Sequence, residues 1–327
     1  MNIHKYDIVV EYIEEGIKNG TFKMYGKLPS MTALQIRFNL SRCSVFKAME
    51  SLKERGIIES EPAVGYFVVN TRLHTKKKVM LIFGQMNPFK EVLYKGIVDN
   101  LDEGTDADIA FHYLERRRFE DLLASASGKY HTIVVNAGYF EGLLPALRKC
   151  KGRILLLDHC ASDIAGAYSS ITQDFDRDTY DSLVKLLPRL RKYERIVLIS
   201  KAPLEPVERI DGLERFGKEY GFETSIVEDP DQLAILPKSV YLVPSDWTLV
   251  KLVKKTRDSN MALGKEIGII ALNEWPINEV FEGGLTTITT DFKLMGEKMA
   301  EMINSNSGDS GIEQIRNPIR IIVRNSV

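Results

Sequence analysis

Arg42 and Lys47 stand with Ser41, Cys43 and Ser44 in one short stretch, Ser41-Arg42-Cys43-Ser44-Val45-Phe46-Lys47. At the start of a helix, such hydroxyls, cations and unpaired backbone N–H groups can meet phosphates and base edges in a DNA major groove. Arg42 is the base-reading or phosphate-clamping candidate, and Lys47 adds charge directed at phosphate. Gly65, further on, lets a backbone approach a duplex closely. Other chemistry is poorly supplied. Cys43, Cys150 and Cys160 are odd in number and contain no CxxC, which argues against a disulfide framework or structural zinc. The histidines at 4, 74, 112, 131 and 159 show no ligand spacing, so no metal is expected. Asp158-His159-Cys160 holds nucleophile-type side chains, but adjacent residues at a strand end rarely converge on one point. Gly84-Gln85-Met86-Asn87-Pro88-Phe89 is neither GxGxxG nor GxxxxGK[ST], so no nucleotide cofactor is expected.

The elements around the basic stretch follow from apolar spacing. Tyr6, Val9, Val10, Ile13 and Ile17 form one helical stripe that stops at Gly20. Gly26-Lys27-Leu28-Pro29-Ser30 is a turn that presents Ser30 as the N-cap of a helix over Met31–Phe38. Asn39-Leu40-Ser41 turns the chain again, and Ser41 caps a second helix predicted to reach Arg55, with Val45, Met49 and Leu52 inward and Gly56 ending it. Two short helices joined by a three-residue turn are a helix-turn-helix pattern. Ile57–Glu59 and Tyr66–Val69, around Pro62 and Gly65, are predicted strands of a wing.

Charge separates this segment from the rest. Residues 1–78 carry 13 basic and 8 acidic side chains, while the remainder carries 31 and 37, although the whole chain nets only -1. A basic head on an acidic body suits a nucleic-acid partner for the head alone. Early carboxylates (Asp7, Glu11, Glu14, Glu15) and short apolar runs predict neither a signal peptide nor a membrane span, hence a cytoplasmic protein. Asn70–Lys78 lacks periodicity and is expected to be a tether.

From Val79 onward, short apolar strands alternate with amphipathic helices, restarting near Ile171. Such alternation predicts an α/β body of two parallel sheets with a ligand cleft at the strand carboxyl ends. The expected domains are 1–70, a linker at 71–78, and a two-lobed body at 79–327. The first lobe is placed at about 79–170 with 289–310, the second at about 171–288 with 311–327.

Gly26-x-Leu28-Pro29-Ser30, Leu34, Phe38, Leu40-Ser41-Arg42, Val45, Ala48, Leu52, Gly56-Ile57-Ile58 and Gly65-Tyr66-Phe67-Val68 together resemble the winged-helix DNA-binding domain of GntR-family regulators. The resemblance implies a DNA surface of Ser30, Thr32, Ser41, Arg42, Cys43, Ser44, Phe46, Lys47, Gly65 and Tyr66. Thr32 and Phe46 stand where the family often has arginines, so the operator sequence does not carry over.

The body resembles the effector domain of lac-repressor-type regulators and periplasmic sugar-binding proteins. The marks are Asn87-Pro88-Phe89, Asp158, Gln173-Asp174, Arg209-x-x-Gly212, Ser245-Asp246, Asn273-Glu274 and Leu285-Thr286-Thr287-Ile288-x-x-Asp291-Phe292. This resemblance implies ligand contacts from Asn87 and Phe89 (hydrogen bond and stacking), Asp158 (accepting hydroxyls), Arg209 and Thr290. It also implies contacts from His159, Ser245 and Asn273, which stand where the family commonly has arginine, asparagine and a hydroxyl-accepting aspartate, so the particular sugar does not carry over. Trp247 and Trp275 could stack on the ligand, but a tryptophan beside a strand end is more often core, and the core is the expectation for both. Asp174 and Asp291 are expected to be helix caps.

The joint resemblance is to an arabinose-repressor-like architecture. It implies a homodimeric repressor of a carbohydrate-utilisation operon, released by a pentose or 6-deoxyhexose such as arabinose or fucose. Alternatives are a phosphorylated sugar or nucleobase as effector, an activator, or an enzyme bearing a DNA-binding head.

Overall fold

The computed structural model describes residues 6–54, 56–62, 64–71, 77–201, 205–229, 231–305 and 311–327. The chain folds as two compact units, the first running to Lys77 and including Glu103–Asp106, the second comprising Lys78–Asp102 and Ala107–Val327.

In the first unit, α1 (Asp7–Lys18), α2 (Met31–Phe38) and α3 (Arg42–Glu54) precede a hairpin of β1 (Ile58–Glu61) and β2 (Gly65–Val68). Ser30 Oγ accepts the Ala33 N–H at 3.1 Å and so starts α2. Asn39 ends that helix in the left-handed region at φ 50°. Ser41 Oγ then accepts the Ser44 N–H at 3.2 Å and starts α3. Val9, Ile13, Leu34, Val45, Met49, Leu52, Ile58 and Val68 bury one small core, which fixes the opposite face of α3 outward. The first strand lies slightly later than expected and the second one residue earlier, and the helix end placed at Arg55 falls outside the described residues.

The second unit has two six-stranded sheets. The first contains β3 (Lys77–Phe83), β4 (Thr105–Phe111), β5 (Thr132–Val135), β6 (Arg153–Asp158) and β7 (Ser170–Thr172), interleaved with α4 (Pro88–Val98), α5 (Arg116–Ala126) and α6 (Leu144–Lys149). The second follows with α7 (Phe175–Leu190), β8 (Arg195–Ile199), α8 (Glu208–Tyr220), β9 (Glu223–Val227), β10 (Ser239–Val243), α9 (Asp246–Asp258), β11 (Ile267–Leu272), α10 (Ile277–Val280) and β12 (Thr286–Thr290). The chain returns through α11 (Phe292–Asn304) and β13 (Gln314–Arg316), then ends on β14 (Ile319–Ile322). Strand orders are β13-β7-β6-β5-β3-β4 and β14-β12-β11-β10-β8-β9. Apolar side chains cover both faces of each sheet, as parallel strands require.

Three details correct the expected lobes. Ser170–Thr172 and Gln314–Arg316 pair with each other in the first sheet, whereas Thr289 and Thr290 belong to the second. The second sheet is not wholly parallel, because β14 runs antiparallel to β12. The cause is topological: β13 leaves the first sheet at its carboxyl end, so β14 enters the second from the cleft side. Finally, the tether is shorter than expected, since Lys77 and Lys78 already lie in β3; residues 72–76 fall outside the described set.

Asp174 and Asp291 are caps, as expected, accepting the Arg177 and Leu294 N–H groups at 3.1 and 3.0 Å. Helices α4 and α11 cross where Gly96 meets Gly296; a Cβ on Gly296 would lie 2.5 Å from the Leu93 carbonyl oxygen. Gly296→Val must therefore push the helices apart, costing about 1–3 kcal/mol as overpacking does. Thermal denaturation should show a lowered melting temperature; an unchanged value would refute the tight crossing.

Candidate functional site: an interlobe cleft and an exposed helix face

In the N-terminal unit, Arg42, Cys43, Phe46 and Lys47 are exposed along α3, and Ser44 is half-buried beside the Ser41 cap. Ser30 and Thr32 are exposed at the start of α2. Gly65 has φ 137°, a conformation that side chains rarely adopt, and the Lys27 Cε lies 3.2 Å from where its Cβ would be. Lys27 thus adds a cation beside the wing that sequence reasoning leaves out. Tyr66 is half-buried against the core, and burial, aided by Glu50, raises its phenol. The face exposes a guanidinium, an ammonium, small hydroxyls and one large apolar ring.

In the second unit, the carboxyl ends of both sheets enclose a cleft of about 440 Å³. Of the eight expected ligand residues, Asn87, Phe89, Asp158, Arg209, Ser245 and Asn273 line it. His159 and Thr290 do not. The His159 ring turns away, its edge on Tyr139 and Phe175 and its Nε2 3.0 Å from Glu208 Oε1. That turn is possible because residue 138 is glycine: a Cβ there would collide with the imidazole. The Thr290 hydroxyl is spent on the crossing strands, donating to the Pro318 carbonyl at 3.2 Å and accepting from Asn317 Nδ2 at 2.6 Å.

The cleft floor is a closed polar network. Asp158 ends β6 at φ 71° and is buried against the Lys90 ammonium, with which it forms an ion pair. Asn136 Nδ2 donates to its Oδ2 at 2.9 Å and Gln173 Nε2 to its Oδ1 at 2.6 Å. Burial alone would raise the Asp158 carboxyl, but Lys90 and Gln173 outweigh it and hold it below its ordinary value. Asp158 is therefore largely occupied by the protein, contrary to the expectation of a free hydroxyl acceptor. Lys90 and Asn136 escape a reading of the sequence, since nothing in it brings position 90 to position 158.

The remaining polar groups differ in freedom. Asn87 Oδ1 caps α4 by accepting the Lys90 N–H at 2.9 Å, which leaves its Nδ2 for a ligand. Ser245 caps α9 and also donates to Thr248 Oγ1 at 2.9 Å, so its hydroxyl is committed. Asn273, at φ 78°, projects from the end of β11. Phe89 stacks on Phe292 with ring centroids 5.0 Å apart and closes one wall.

Arg209 is 7% exposed, with its guanidinium carbon 4.7 Å above the Phe175 ring. Its Nε is buried without a hydrogen-bond partner among the described residues. Burial lowers its pKa, opposed chiefly by Glu205 and Asp178. Glu205, also on the cleft wall, is pushed up by burial from 4.5 to about 7 despite Arg209 nearby. Among the described residues, no His/Cys/Asp/Glu group could hold a metal, and no helix is long and apolar enough to cross a membrane.

Comparison with known proteins agrees with both halves. Residues 5–68 match the family of bacterial regulatory proteins described as gntR, and residues 179–327 match the periplasmic binding protein-like domain. YcxD of Bacillus subtilis (strain 168), an uncharacterized HTH-type transcriptional regulator, is 26% identical over 161 residues, 49% of this chain and 32% of YcxD. YdfD of the same strain is 36% identical over 66 residues, 20% of this chain and 14% of YdfD. The chain thus spans a third or less of the curated relatives it matches. In fold, it is similar to a LacI family transcriptional regulator from Silicibacter pomeroyi (TM-score 0.66, 15% identity, 76% of this chain and 98% of that one). It is likewise similar to the transcriptional regulator CelR in complex with cellobiose (TM-score 0.64, 15% identity, 88% and 92%). A LacI family regulator from Enterococcus faecium with bound ribose gives a TM-score of 0.62 at 17% identity, over 76% and 98%.

The raised Glu205 carboxyl has a sign that can be checked. The folded protein keeps a proton that the unfolded chain releases, so this stabilisation is complete below about pH 4.5 and is lost as pH rises towards 7. The loss is on the order of 3 kcal/mol. Glu205→Gln should flatten the fall in melting temperature between pH 5 and 7.5; a fall identical to wild type would show that another group titrates.

Proposed function

We propose that this chain, whose residues 5–68 match the gntR family and whose residues 179–327 match the periplasmic binding protein-like domain, is a helix-turn-helix regulator that represses a carbohydrate-utilisation operon until a neutral sugar enters the cleft. A homodimer presents two copies of α3 to the half-sites of a pseudo-palindromic operator. Arg42 reads a base edge or clamps a phosphate, and Lys47 and Lys27 neutralise backbone charge. Sugar closing the two lobes changes the spacing of the heads and weakens operator binding.

The observation that carries this reading is Arg209, a buried guanidinium with an unpartnered Nε on the wall of a cleft between two sheets. Such a donor gains most from a ligand that brings an acceptor. Neutral polyols fit better than phosphorylated sugars, because Lys90 is already paired with Asp158 and no second free cation lines the wall among the described residues. At the deep polar end the cleft suits one sugar ring, with pentoses and 6-deoxyhexoses the first to test.

Two measurements test the proposal. A mobility-shift assay on DNA flanking the gene should show binding that Arg42→Ala weakens by about 1–3 kcal/mol, roughly 5- to 150-fold. Absence of binding, with and without sugars, would sink the regulator mechanism. A thermal-shift screen should then find a sugar that stabilises the protein, by about 2.7 kcal/mol at a hundredfold excess over Kd. Arg209→Ala should abolish that shift, and an undiminished shift would move the ligand elsewhere.

A further inference from the structure

The chain has two tryptophans, and both line the cleft. Trp275 is half-buried, but Trp247 is 84% exposed, in contrast to the core position expected for it. It stands in the first turn of α9, a turn held by the Ser245 cap, so its indole is presented from a rigid base at the cleft mouth. Met86, on the opposite lobe, is also exposed at this mouth. At the other end, Asn136, Asp158, Arg209 and Lys90 are all at least nine-tenths buried. One continuous cavity therefore grades from a buried polar floor to an uncovered aromatic rim.

A single sugar ring that satisfies the floor leaves this rim in water. A large uncovered indole lining a ligand cleft is unusual on a protein surface, where side chains of this size are highly buried on average. A second ring joined to the first covers it: the apolar face of a pyranose or an aryl group lies flat on the indole while its edge remains solvated. The cavity volume of about 440 Å³ falls within the range of sites that enclose drug-sized ligands.

Building on the effector reading above, we propose that the natural effector is a glycoside of at least two rings, with one ring on the Arg209 floor and the second stacked on Trp247. Trp247 is thus the residue that selects for ligand length. Calorimetric titration of the full chain with cellobiose, maltose and phenyl β-glucoside, set against glucose, ribose and arabinose, tests this. The expected result is that one or more of the two-ring ligands binds more tightly than every single-ring sugar. Trp247→Ala should weaken that binding by about tenfold, whereas Trp247→Phe should keep it within about threefold, since a phenyl ring still stacks. Binding of single-ring sugars should stay within about twofold in both variants. The ligand should also blue-shift the wild-type tryptophan emission, a shift lost in Trp247→Phe. Single-ring sugars binding as tightly as the glycosides, or Trp247→Ala weakening both classes equally, would overturn the inference and leave the effector reading standing. If no member of the panel binds, and none protects against thermal unfolding, both fall.

Discussion

A guanidinium buried without a partner for its Nε is a standing cost, and much of the body is arranged around the one at Arg209. Desolvation weakens its hold on its proton, and Phe175 supplies a face but no acceptor. The carboxylates that a buried cation would recruit are used elsewhere. Asp158 is bound by Lys90, Asn136 and Gln173, and Glu208 is turned to His159. Glu205, the charge that most supports Arg209, is itself pushed towards neutrality. In the proposed function, an incoming hydroxyl or ring oxygen supplies the acceptor that the Arg209 Nε lacks among the described residues. That gives a ligand a differential free energy between states, without which no conformational shift is explained.

The same geometry links the lobes. The chain passes between the sheets near residues 173, 291 and 317, and Asn317 ties the three passages together. Its backbone N–H donates to Thr172, and its Nδ2 donates to both Thr290 and Asp291. Side-chain contacts also join the lobes: His159 to Glu208, and Arg316 to the buried Asp178 and to Asp181. Asp178 remains above its ordinary value because burial outweighs Arg316. In the proposed closure these strands serve as the hinge and the contacts as latches, so occupancy of Arg209, next to Glu208 on α8, bears directly on one latch.

How far the sequence reveals this depends on the range of each interaction. Caps at Ser30, Ser41, Asp174 and Asp291 are local, set within a few residues, and each is readable from residue type and spacing. The helix-turn-helix and the alternation of strands with helices are periodic, and equally legible. Lys90 and Asp158 are 68 positions apart, and their pairing depends on β3 and β6 ending on the same cleft, which no local pattern encodes. His159 reads as a cleft residue because its neighbour is one; only the absence of a side chain at Gly138 turns it away. The lobe boundaries shift because β13 carries too little pattern in three residues to show which sheet it joins. Trp247 departs from expectation because an aromatic beside a strand end usually packs inward, and its actual exposure is the most informative feature of the rim.

In the proposed function, occupancy of the cleft and occupancy of DNA are coupled in one chain. The near-neutral whole hides a basic head and an acidic body, a division suited to DNA contact by the head alone. Coupling of this kind is reciprocal, so sugar and operator must change each other's affinity by the same factor, typically about 5–150-fold. The most direct test measures the Kd of the bound sugar with and without saturating operator DNA, alongside the operator Kd with and without saturating sugar. Two equal factors within that range are expected, and operator affinity unchanged at saturating sugar would rule the coupling out.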